Sequence, residues 1–263
     1  MRSTLIASMI LSLAAGAAVA GPRMSGASEA APSSVEKYRG YVFDLSENAD
    51  RKDVTSIADM VRRQLDVVET AGFSPKVLQF FHRVPIVASE MACLDEGAAA
   101  ACYGLTPPEW DRGTTRDVTI WDHDKQQWTN SDPLALALDS GIGIIRMRPN
   151  MMRYAKEPVL LHEFLHAYHA RLMPNGFENK GIKGFLSQAK SKELFAKEAY
   201  ALKNQQEFFA VTASIFLAGK DSEHEPYTRA TLKEKMPDYY KFLVGLFGAD
   251  PDETGVTPVA SAN

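Results

Sequence analysis

Residues 159–170 read VLLHEFLHAYHA, and within them His162 and His166 stand four apart with Glu163 beside the first. On a helix, side chains four residues apart share a face, one turn from each other. Two imidazoles so placed can reach one zinc ion at about 2.0–2.1 Å. Glu163 sits about 100° further round the helix than His162. It misses the metal but can reach a water held there, which is where a general base belongs. This is the H-E-x-x-H pattern, two metal-binding histidines with a glutamate base. Leu160, Leu161, Phe164 and Leu165 occupy the other faces. A packed helix is therefore expected, rather than a solvated one with two incidental histidines.

A catalytic zinc needs a third protein ligand and an open position. His169 shares the face, but it lies seven residues from His162, about 10.5 Å of rise. One ion cannot be met by both ends of that span in an unbroken helix. The three-histidine version of the motif also requires a glycine turn before its last histidine, and this chain has none. His169 is read as a residue behind the ligands or on the substrate side, or else as plain surface. The remaining candidates are Glu178, Glu193, Glu198 and Glu207. Glu178 falls in the Gly- and Asn-rich segment MPNGFENKGIKG, a poor rigid support. Glu207 lies in NQQEFFAVTA, which is apolar on nearly every side after the glutamate. A carboxylate buried there is costly unless it is paired or bound to metal. The competing reading is a glutamate solvated at a helix start or paired with Lys203.

The elements that must position these groups follow from periodicity. Tyr41 to Leu45 alternates as a strand does, and residues 53–71 carry apolar residues at helical spacing, with Gly72 placed to end the helix. Residues 76–88 are rich in Val, Phe and Ile and read as a strand interrupted by Pro85. Residues 118–121 and 141–148 read as further strands. The second of these precedes the motif helix and could offer its backbone to an extended peptide, or else be an ordinary core strand. Helices are expected at 158–172, 185–202, 204–219 and 229–246, with the middle two open to being continuous. Strands in the first half and helices in the second make an α+β fold, with a small mixed sheet packed on the motif helix.

The chain's ends read differently. Arg2, the apolar run from Leu5 to Val19 and the small residues Ala18-Val19-Ala20 form a secretory signal peptide cleaved after Ala20. A flexible leader follows over 21–35, then a single domain over 36–247 and a flexible tail over 248–263. Export places Cys93 and Cys102 in an oxidising compartment, secreted or periplasmic, where a disulfide between them is expected. So short a loop is expected to tidy the surface more than to hold the fold. The composition is that of a globular protein, 45% hydrophobic and 24% charged, with a net charge of −4 and no long basic run. Nucleic acid and anionic membrane are poor partners for such a chain. A monomer acting on a peptide or protein is the expectation.

His162-Glu163-Phe-Leu-His166, followed some forty residues later by Glu207-Phe-Phe-Ala210, resembles the gluzincin metallopeptidases. Within them it is most similar to the catalytic domain of anthrax lethal factor and related secreted bacterial proteins. The resemblance spans about residues 158–217 and implies a zincin-like fold with one Zn2+ per chain. It implies Glu207 as the third ligand, and Tyr200 as a phenol pointing into the site. Seven residues are two helical turns, so Tyr200 and Glu207 would share a face of one helix. It also implies hydrolysis of peptide bonds, with Glu163 as base and Tyr200 as oxyanion donor. Residues 36–150 match nothing in that group, so specificity does not carry over. Two rival readings use the same motif. One is a zinc hydrolase of a non-peptide amide or ester, and the other is a non-catalytic exported zinc-binding module.

Overall fold

A computed structural model describes residues 34–94, 99–104, 119–122, 127–130 and 141–254, with 119–122 and 127–130 as backbone alone. The expected signal peptide, nearly all of the expected leader and the end of the expected tail lie outside the described residues.

The fold is α+β. Among the described residues the seven strands are β1 (Val35–Tyr38), β2 (Tyr41–Asp44), β3 (Ile86–Ala88), β4 (Ala101–Gly104), β5 (Thr119–Asp122), β6 (Gln127–Asn130) and β7 (Ile144–Met147). They form one mixed sheet in the order β4-β7-β3-β2-β1-β5-β6. β3 runs parallel to both β2 and β7, whereas β4 runs antiparallel to β7 with Cys102 opposite Arg146. β7 is therefore an interior strand, with β3 on one side and β4 on the other. Of the two expectations for 141–148, the core strand is the one observed. Among the described residues the edge next to the motif helix belongs to β4.

Among the described residues the helices are α1 (Val54–Thr70), α2 (Pro75–Phe81), α3 (Pro149–Met152), α4 (Val159–Leu172), α5 (Lys180–Ser191), α6 (Gln205–Ala218), α7 (Arg229–Lys235) and α8 (Pro237–Phe247). α1 presents Ile57, Val61, Leu65 and Val68 to the core and packs against α4. Its buried Gln64 also holds the start of α4. The Gln64 Oε1 accepts the Leu160 N–H and its Nε2 donates to the Glu157 carbonyl, both at 3.3 Å. A helix start otherwise leaves such N–H groups unpaired.

Three expectations are corrected. Of residues 76–88, the first six belong to α2. Pro75 takes the first helical position, where its fixed φ suits the turn and its missing N–H costs nothing. Only Ile86–Ala88, after Pro85, is strand. The helix expected over 185–202 begins earlier, at Lys180, and stops at Ser191. Residues 200–202 form a separate 3-10 turn, and Asn204 (φ −157°, ψ 177°) is extended, so α6 begins anew. The helix expected over 229–246 is broken at Met236 by the following Pro237. Val35 is buried in β1, and Asp250 and Asp252 bind Tyr240 and Arg229. The packed chain thus reaches a little beyond 36–247 at each end. No helix among the described residues is long and apolar enough to cross a membrane.

Candidate metal centre

α4 and α6 pack side by side, and the site lies where they face β4. His162 and His166 come one turn apart on α4, with their Nε2 atoms 3.0 Å from each other. Glu207 enters from the first turn of α6, its Oε2 3.2 Å from His162 Nε2 and 3.4 Å from His166 Nε2. Three donors bound at 2.0–2.1 Å to one tetrahedral ion would stand about 3.3 Å apart. The observed spacings match that set. His166 and Glu207 are buried, and His162 is partly open to solvent. Burial alone would drive Glu207 toward its neutral form. The two imidazoles outweigh burial and hold its carboxyl well below the usual range.

Two imidazole nitrogens and a carboxylate oxygen converge here. Neutral imidazole carries one proton, so a pair facing at Nε2 can make at most one hydrogen bond between them. Glu207 Oε2 is buried without a hydrogen-bond partner. A divalent cation satisfies all three lone pairs at once. Glu178, Glu193 and Glu198 are not in this cluster.

The cluster opens into a cavity of about 70 Å³, whose walls also include Glu163, Tyr200, Gln206, Ala101 and Tyr103. Glu163 is buried on α4 and faces this cavity. Tyr200 reaches it as well, but not from a shared helix face. It stands on the 3-10 turn Tyr200–Leu202, and the break at Asn204 separates it from Glu207. Tyr200 therefore lines the cavity from the turn before α6, not from the helix face shared with Glu207 that its two-turn spacing implied.

Of the alternatives for His169, two are corrected. It is completely buried, with its ring against Phe209 (5.0 Å) and Phe177 (5.3 Å), and its ring nitrogens have no hydrogen-bond partner. It is neither plain surface nor on the substrate side. Burial, aided by the charge of His166, pushes it down to about 4.

Sequence reasoning missed β4. Side chains alternate along a strand. Ala101 and Tyr103 therefore face the cavity while Cys102 points away, into a disulfide with Cys93. Both half-cystines are buried. The bridge fastens the sheet edge beside the site instead of tidying a surface loop. Asn204 was also missed as a cap, although Asn three residues before an acidic side chain is a helix-start signal.

The fold and cluster define an α+β protein with a largely buried His–His–Glu set that could hold a metal ion. The chain matches no family model and no curated protein. Among solved structures it is similar to the Pro-Pro endopeptidase PPEP-2 from Paenibacillus alvei. That match has a TM-score of 0.39 and 20% identity, and covers 73% of this chain and 92% of that one. A likeness so distant assigns neither family nor activity.

Proposed function

We propose that this chain is an exported zinc metallopeptidase of the gluzincin type. The observation that carries the reading is the convergence of His162, His166 and Glu207 in one cavity that also holds Glu163. His162, His166 and Glu207 would hold Zn2+, one per chain. When bound there, zinc lowers the pKa of water toward about 7 and polarises a carbonyl. Glu163 takes the proton of the attacking water and returns it to the leaving amine. Burial keeps that carboxylate close to the reacting atoms and out of competing contact with solvent. Tyr200 donates its phenolic hydrogen to the developing oxyanion. The substrate is a peptide or protein segment in extended form. Its backbone pairs with the edge strand β4, where Ala101 and Tyr103 face the cavity.

The buried Cys93–Cys102 disulfide supports an oxidising compartment, secreted or periplasmic. The signal peptide and a monomeric state belong to the same proposal. The test is metal analysis of purified protein combined with a proteome-wide cleavage screen. About one zinc per chain is expected, with cleavage that disappears in Glu163→Gln. Protein without zinc, or cleavage that survives the substitution, removes the reading. A parallel panel of ester substrates separates peptide from non-peptide hydrolysis.

A further inference from the structure

Tyr200 stands on a single 3-10 turn and is 36% exposed. Lys203 and His224 both lie against its ring. Lys203 places its Nζ 5.3 Å from the ring centre, and the imidazole of His224 lies 5.1 Å away at 40°.

His224 is itself tightly held. Its Nδ1 is 2.9 Å from Asp221 Oδ2. Asp221 is buried, and its Oδ1 accepts the backbone N–H groups of Glu223 (2.8 Å) and His224 (3.0 Å). The Asp221 N–H donates to the Tyr227 carbonyl at 2.7 Å. The loop between α6 and α7 is thus wound on Asp221 and presents the His224 ring to Tyr200. Asp221, Glu157 and Glu223 all favour the imidazolium form of His224. Lys203, from the turn before α6, lies over the same phenol ring. The hydrolysis proposed above makes no use of this Asp–His pair.

We propose that His224, locked by Asp221, is the positioning residue of Tyr200, and that their ring contact fixes the phenol at the wall of the His162–His166–Glu207 cavity. This rests on the peptidase reading, which supplies the oxyanion that the phenol meets. An oxygen fixed before the reaction stabilises a transition state better than one that must first be ordered. An imidazole bonded to a buried carboxylate has a fixed ring plane, which an unanchored aromatic ring lacks.

The test has a catalytic arm and a spectroscopic arm. In zinc-loaded protein, His224→Ala should lower kcat by about tenfold or more, with KM changed by less than about twofold and zinc content unchanged. Combined with Tyr200→Phe it should cost nothing further, because the oxygen it positions is gone. Equal losses in both backgrounds would overturn the proposal. In metal-free protein carrying ring-labelled tyrosine, the Tyr200 NMR signal is identified by its absence in Tyr200→Phe. It should shift and broaden in His224→Ala. Asp221→Asn leaves both rings in place and should give a smaller change of the same kind; it also serves if His224→Ala does not fold. An unmoved Tyr200 signal would overturn the proposal without any appeal to activity. A moved signal in a protein that hydrolyses no peptide would support the ring contact while removing the peptidase reading.

Discussion

The side chain of Asn204 accepts the backbone N–H of Glu207 at 2.9 Å, and that of Gln206 at the same distance. One residue thus caps α6 and fixes the backbone from which the candidate metal ligand projects. The carboxylate of Glu207 also sits in the first turn, where the helix dipole favours negative charge. Asn204→Ala should lower stability by about 1 kcal/mol, the usual cost of a lost cap. It should also weaken zinc binding by about 10–100-fold, as loss of a ligand's supporting bond does. Thermal unfolding and a competition titration with a chelator measure the two effects. Lost stability with zinc affinity intact would confine Asn204 to capping.

Base and ligand separate by substitution. Glu163→Gln keeps shape and volume, so zinc content should hold while kcat falls to a small fraction of the parent. Glu207→Gln, His162→Ala and His166→Ala each remove a donor from the cluster and should lower zinc content at matched free metal. Metal analysis beside the peptide assay gives both readings. The opposite pattern would exchange the roles of the two glutamates.

The His162–His166 pair of the candidate cluster was legible because it depends on local spacing. His162 and His166 are one turn apart in any helix, and the apolar run after Glu207 announced burial. Tyr200 was singled out by resemblance together with its two-turn spacing, and its expected geometry fails because Asn204 interrupts the helix. β4 was illegible for a different reason. Ala101–Gly104 is a four-residue segment among small residues, and its strand character comes from pairing with the distant β7, Ala101 opposite Met147 and Gly104 opposite Ile144. α2 was misread because Val, Phe and Ile suit a strand, while Pro75 at the first helical position decides otherwise. His169 was misplaced because helical periodicity tells which residues share a face, not whether another helix covers that face.

Tyr200→Phe removes a single oxygen. An oxyanion donor acts in the transition state more than in the ground state, so kcat should fall at least about tenfold with KM nearly unchanged. Folding and zinc content should match the parent. An unchanged kcat would leave Tyr200 as a wall residue.

The disulfide is expected to matter more than its short loop suggests. Cys93 and Cys102 are buried, and the bridge fastens β4, whose Ala101 and Tyr103 face the cavity. Cys93→Ser with Cys102→Ser should cost about 2–4 kcal/mol of stability. KM should rise more than kcat falls if β4 pairs with substrate. Mass spectrometry of protein from the periplasm or medium should show the two cysteines linked. Unaltered kinetics in a folded double variant would detach the bridge from the site.

His169 gives a prediction in pH. Its imidazole is fully buried between Phe177 and Phe209, and burial, with the His166 charge, pushes it down to about 4 from the usual 6.5. Between those values the unfolded chain carries a proton on this side chain and the folded chain does not. Stability therefore rises with pH across the window and is lost as pH falls from 6.5 toward 4. The shift corresponds to roughly 3 kcal/mol. His169→Leu keeps an apolar side chain of similar size and removes ring nitrogens that have no partner. Near pH 7 it should be neutral or stabilising, since an unpaired buried polar group costs about 1–3 kcal/mol. The measurement is denaturant unfolding of metal-free parent and variant at several pH values from 7 to 4, which sets aside acid release of any bound metal. The gap in stability between them should widen as pH falls, in favour of the leucine. A constant gap would mean that His169 takes up its proton in the folded state as readily as in the unfolded one.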